Sequence, residues 1–87
     1  MQELTYFYLK DCPYCHKADR ILAQVTAASP ELAAVPIRRI EELEQAALAD
    51  SYDYYFVPCF FLGDKKLMEG DPDEAQVRAA LTAAAGA

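Results

Sequence analysis

Two cysteines three residues apart, Cys12-Pro13-Tyr14-Cys15, stand where an apolar run stops and a helical pattern starts. No other feature restricts the fold as much. Upstream, Leu4-Thr5-Tyr6-Phe7-Tyr8-Leu9 is apolar on both faces, as a central strand between two layers must be. Lys10-Asp11 ends it. Downstream, Pro13 suits the first helical position, where a missing N–H is no loss. Cys15, Ala18, Leu22 and Val25 then recur at helical spacing, with Ile21 beside them. His16, Lys17, Asp19, Arg20 and Gln24 take the other side. The helix is expected to stop near Ala27-Ala28-Ser29, because Pro30 disfavours helical backbone in the residue before it.

The rest of the chain continues this alternation. Val35 to Ile40 reads as a second strand, and Pro36 suits an edge. Glu41 to Asp50 reads as a second helix with Leu43 and Ala47 inward. Ser51 to Tyr55 is a tyrosine-rich loop. Cys59 to Leu62 and Lys66 to Glu69 form a hairpin about Gly63-Asp64-Lys65. Asp71-Pro72-Asp73-Glu74 looks like a helix start, with Asp71 as the cap and Glu74 completing a capping box. Val77, Ala80 and Leu81 face inward, and Thr82 to Ala87 is expected to fray. The expected architecture is an α/β fold in the order βαβαββα: one domain over 1–87, with a four-stranded mixed sheet and three helices.

Composition narrows the function. Net charge is −6, which opposes binding to nucleic acid or to anionic membrane. No apolar run nears the ~20 residues of a membrane span. Met1-Gln2-Glu3 lacks the basic start of a signal peptide, so a cytoplasmic protein is expected. Three cysteines are too few, and odd in number, for a secreted disulfide scaffold. In a reducing compartment a close cysteine pair points to metal binding or redox catalysis.

Dithiol exchange needs one accessible thiolate that attacks and a second thiol that resolves the mixed disulfide. Cys12, at the helix start, has free N–H groups and the positive end of the helix dipole to stabilise charge on sulfur. Cys15, one turn on and on the apolar face, is expected to be more buried. Half of a zinc site is the competing possibility, but only His16 and Cys59 remain as further ligands, and no metal is expected. Cys59 reads as a buried strand residue on the opposite face from Pro58, with a third redox thiol as the alternative. His16 reads as exposed, with tuning of Cys12 or proton transfer as the alternative. Tyr52, Tyr54 and Tyr55 are either loop packing or one wall of a substrate groove.

Taken together, Cys12-Pro13-Tyr14-Cys15, Lys10 two residues before it, Val57-Pro58 before the third strand, and Gly70 followed by Asp71 to Asp73 resemble the dithiol glutaredoxins of the thioredoxin-fold superfamily. The resemblance implies Cys12 as nucleophile, Cys15 as resolver and Tyr14 on the substrate surface. It implies a cis Pro58 near the sulfurs, with the Val57 backbone pairing an extended substrate. Glutathione would be the reductant, its glycyl carboxylate on Lys10 and its γ-glutamyl end at Gly70 and Asp71, in a monomer acting on disulfide-containing proteins. The chain departs from the family at Phe56, where threonine is usual, and at Glu69, where glycine is usual. Those departures raise a second donor, a thioredoxin reductase. A reading of another class is an iron–sulfur cluster held between two subunits through Cys12.

Overall fold

The computed structural model describes residues 1–87. Its elements are β1 (Leu4–Tyr8), α1 (Pro13–Ala28), α2 (Pro30–Ala33), β2 (Ile37–Glu41), α3 (Ala46–Asp50), β3 (Cys59–Leu62), β4 (Lys65–Glu69) and α4 (Glu74–Gly86). They form the expected four-stranded mixed sheet, in the order β2-β1-β3-β4. β1 runs parallel to β2 and antiparallel to β3, and β3 is antiparallel to β4.

The two-sided apolarity of β1 places it at the centre. Leu4 and Tyr6 point to one face, where they join Phe60, Met68 and the inner faces of α1 and α4. Phe7 points to the other, with Ile40, Cys59 and Phe61 under Ala49 of α3. Each face is thus covered, and the end of β1 is held from both sides. Leu9 to Cys12 leave the sheet there.

Four details depart from the sequence expectations. A fourth helix, the single turn α2, follows Pro30, whose position favours a helix start. The second expected helix shrinks to α3. Glu41 stays in β2, opposite Tyr8, and its carboxylate accepts the N–H groups of Leu43 (2.6 Å) and Glu44 (3.1 Å). Those bonds hold 42–45 as a turn. Leu43 is consequently 76% exposed and Ala47 is exposed, while Ala49 faces inward.

The last helix begins two residues later than expected. Asp73, not Asp71, is the cap, and Gln76, not Glu74, completes the capping box. Pro72 is buried, and Asp71 turns outward to Lys17 (2.8 Å). The tail does not fray. α4 runs to Gly86, Ala84 is buried, and the Ala84 carbonyl accepts the Gln2 N–H at 2.9 Å.

Candidate active site

Cys12 is the N-cap of α1 and has extended backbone, with φ −89° and ψ 116°. Its carbonyl accepts the His16 N–H (3.0 Å), and its Sγ accepts the Cys15 N–H (3.3 Å). A free helical N–H therefore points at the sulfur, an interaction that strengthens when the sulfur carries charge. Cys12 is partly exposed, and Cys15, one turn below, is fully buried. The Cys15 carbonyl accepts the Tyr6 hydroxyl at 3.1 Å. Burial, then the neighbouring Cys12, pushes the Cys15 thiol up to about 12, against a lowering contribution from the Leu9 backbone. The two thiols are thus unequal, in the sense the helix register suggests.

The peptide Val57–Pro58 is cis, as the resemblance implies. The Val57 carbonyl oxygen lies 3.9 Å from Cys12 Sγ, and the Gly70 N–H donates to the Pro58 carbonyl at 2.9 Å. Gly70 has φ +86°, a left-handed geometry in which glycine is favoured. Tyr14, 52% exposed, lies between Cys12 and Cys15 in the chain. The structure thus brings Cys12, Cys15, Val57, Pro58 and Gly70 to one end of the sheet.

Lys10 and Asp71 are near in sequence to that site but already engaged. The Lys10 ammonium is ion-paired with Glu44, which raises its pKa, and Asp71 is paired with Lys17. Lys10, Cys12, Glu41, Leu43 and Glu44 share the lining of an open cavity of about 450 Å³. Within it, burial pushes the Glu41 carboxyl up. The N–H groups of Leu43, Glu44 and Lys10, with the Lys10 charge, outweigh this and hold it below the usual carboxylate range.

The remaining sequence candidates divide. Cys59 lies buried on the far face of the sheet, and burial raises its thiol to about 12. His16 meets the Lys10 carbonyl. Neither joins Cys12 and Cys15 in a group able to hold a metal ion. Tyr52 and Tyr54 pack against Phe7 at 4.7 and 4.8 Å between ring centroids, so they are packing residues. Tyr55 and Phe56, by contrast, are 82% and 68% exposed beside Val57. No helix is long and apolar enough to cross a membrane.

No family model matches the sequence. A probable thioredoxin of Archaeoglobus fulgidus is 32% identical over 79 residues, which span 90% of this chain and 84% of that protein. The chain belongs to the thioredoxin-fold superfamily. Two solved structures agree in fold. A point mutant of a thioredoxin from Halobacterium salinarum superposes with a TM-score of 0.68 at 21% identity, covering 95% of this chain and 74% of the other. An uncharacterised thioredoxin-like protein from Clostridium perfringens gives 0.67 at 24% identity, covering 94% and 69%. As a member of the superfamily with its cysteine pair at the helix start, the chain is a thiol–disulfide oxidoreductase. The similar proteins carry the thioredoxin name, so the likeness to glutaredoxins holds at the level of the superfamily.

Two carboxylates at this thioredoxin-like site escape a reading of motifs. Glu41 ties the loop before Cys12 to the end of β2. Glu69 ties the segment before Pro58 to β4. Glu69 had a signal, since it occupies a place where glutaredoxins carry glycine. Glu41 had none, because it read as a residue of the helix that follows.

Proposed function

We propose that the chain reduces disulfides by attack of Cys12 and resolution by Cys15. The observation that carries this is the asymmetry of the pair: a partly exposed Cys12 sulfur receiving a helical N–H, above a fully buried Cys15. The Cys12 thiolate attacks one sulfur of the substrate disulfide. A bond forms between the two sulfurs, the substrate S–S bond breaks, and the leaving sulfur departs as a thiolate. Cys15 loses its proton toward that basic sulfur or to water and attacks Cys12. The substrate leaves carrying two electrons, and the chain is left with a Cys12–Cys15 disulfide. Val57 would receive an extended substrate as an added strand, with Tyr14 at its edge.

Two electron donors suit this chemistry. For glutathione, Lys10 would take the glycyl carboxylate, and Gly70 with Asp71 would take the γ-glutamyl end. A flavoprotein of the thioredoxin reductase type is the reading that the ion pairs favour. Glutathione would have to displace Glu44 from Lys10 and Lys17 from Asp71. Each exposed pair is worth only about 0–1 kcal/mol, so displacement is a handicap and not a barrier. Coupled assays with glutathione and its reductase, against thioredoxin reductase, decide the donor. A Cys12→Ser variant that retains disulfide reductase activity would overturn the exchange mechanism itself.

A further inference from the structure

Glu69 ends β4 and takes no part in the exchange steps, yet its carboxylate is fully engaged next to the site. Oε1 accepts the Lys66 ammonium at 2.8 Å. Oε2 accepts two backbone N–H groups, those of Tyr55 and of Phe56, the latter at 2.9 Å. The lysine bond first, then the Tyr55 and Phe56 N–H groups, hold the Glu69 carboxyl down at about 2.

This arrangement depends on an irregularity in the hairpin. On a regular strand, residues three apart point to opposite faces. Here the β3–β4 register slips, with Phe60 opposite Met68 but Phe61 opposite Lys66. Leu67 is the extra residue of a bulge, and the slip turns Lys66 and Glu69 to the same face. The end of β4 then grips the cis-proline segment on both sides. The Glu69 side chain holds Tyr55 and Phe56 before it, and the Gly70 N–H holds the Pro58 carbonyl after it. Between these ties lies Val57, whose carbonyl stands 3.9 Å from Cys12 Sγ. The segment 55–57 belongs to no helix or strand, so no ladder fixes it.

We propose that Glu69 is a positioning residue for disulfide exchange: its carboxylate fixes the Tyr55–Phe56 backbone and so sets where Val57 receives an extended substrate beside Cys12. The role rests on the reading of Cys12 and Val57 given under the proposed function. It also gives a role to one departure from the glutaredoxin pattern, the glutamate at 69 where glycine is usual.

The test is a single-turnover stopped-flow experiment, which needs no donor. The fully reduced protein is mixed with excess of a synthetic peptide carrying one internal disulfide. In parallel it meets a small aromatic disulfide, 5,5′-dithiobis(2-nitrobenzoic acid), which is too short to pair as a strand. Glu69→Ala should raise the half-saturating peptide concentration about tenfold and leave the limiting rate within about twofold. Its rate with the small disulfide should stay within about twofold of wild type. Glu69→Gln keeps an acceptor oxygen of the same reach and should restore peptide binding. Glu69→Asp keeps the charge, falls one methylene short, and should resemble Glu69→Ala. The Asp variant also serves if the Ala variant fails to fold. The proposal is overturned if Ala and Asp variants bind peptide like wild type. It is equally overturned if folded variants lose both substrates in parallel. A wild-type protein that reduces neither disulfide would instead sink the exchange reading beneath it.

Discussion

At the scale of single residues, one helical turn makes two chemically similar groups different. Cys12 and Cys15 share a helix, but Cys12 caps it at the surface and Cys15 points into the core. The buried thiol resists ionisation, with its value raised to about 12, and Cys59 on the far face is raised to about 12 by burial as well. Thiolates, not thiols, are alkylated, and access is also required. In the reduced native protein at pH 8, iodoacetamide should therefore label Cys12 first, with Cys15 and Cys59 reacting only after unfolding. Peptide mass spectrometry over a time course checks the order. Native labelling of Cys59 as fast as Cys12 would contradict its place in the core. The same asymmetry predicts that Cys15→Ser traps a covalent Cys12–substrate adduct, visible as an added mass that dithiothreitol removes. Sequence spacing made this pair legible, because position on a helix sets both exposure and dipole contact.

At the scale of elements, the ends decide more than the middles. α4 starts at a capping box of Asp73 and Gln76, whereas Asp71 makes an exposed ion pair with Lys17. Asp73→Ala should cost about 1 kcal/mol and lower the melting temperature by roughly 4–8 °C. Asp71→Ala should cost no more than about 1 kcal/mol, as exposed ion pairs do. Thermal denaturation of both variants checks this, and a larger loss at Asp71 would restore it as the cap. The sequence expectation named the first of the two acidic residues, Asp71, as the cap, and the structure places the cap at Asp73. Pro72 seemed to favour the first, but its side chain is buried, and that burial swings Asp71 outward.

The hairpin end carries a pH signature. Glu69 is held at about 2 in the fold against a usual 4.5, chiefly by Lys66. A depressed carboxylate stabilises the fold above its unfolded value, and that contribution is lost as pH falls through the folded one. Stability due to this group should thus be complete above about pH 5 and fall away as pH drops from about 4.5 to about 2. Urea titrations at pH 6, 4 and 3 should show a smaller loss over that range in Glu69→Gln than in wild type. Equal acid sensitivity in the two proteins would remove Glu69 from the account.

At the scale of the whole molecule, a central sheet is held between two unequal cores. The larger joins β1, β3 and β4 to α1 and α4, and the smaller sets Phe7, Ile40, Cys59 and Phe61 beneath α3 and the tyrosine loop. The smaller core supports the cis-proline segment, since Val57 packs against it. Phe61 meets both Tyr52 and Phe7, at 4.9 and 5.8 Å between centroids. Phe61→Ala should cost about 3–5 kcal/mol, a large share of the roughly 4–13 kcal/mol expected for 87 residues. Urea unfolding checks this, and a loss below about 1 kcal/mol would show that the smaller core is dispensable.

What the amino-acid sequence determined by itself was whatever local periodicity encodes. β1 is two-sided apolar and therefore central, α1 has one apolar stripe with Cys12 at its start, and the Cys59–Glu69 hairpin follows from its turn. Tertiary structure alone decided where single side chains spend their hydrogen bonds. Glu41 caps a turn instead of extending a helix, Lys10 and Asp71 are taken up by other charges, and Glu69 reaches back to hold Tyr55 and Phe56. Periodicity is a property of neighbours along the chain, and it survives any packing that buries the right face. A carboxylate chooses among N–H groups and cations brought near by folding. The Lys10 N–H reaches Glu41 from 31 residues away, and the Phe56 N–H reaches Glu69 from 13, so neither contact has a local signature. The Cys12–Cys15 pair was readable because one helix holds it, and the ties of Glu69 to the segment before Pro58 were not, because separate segments make them.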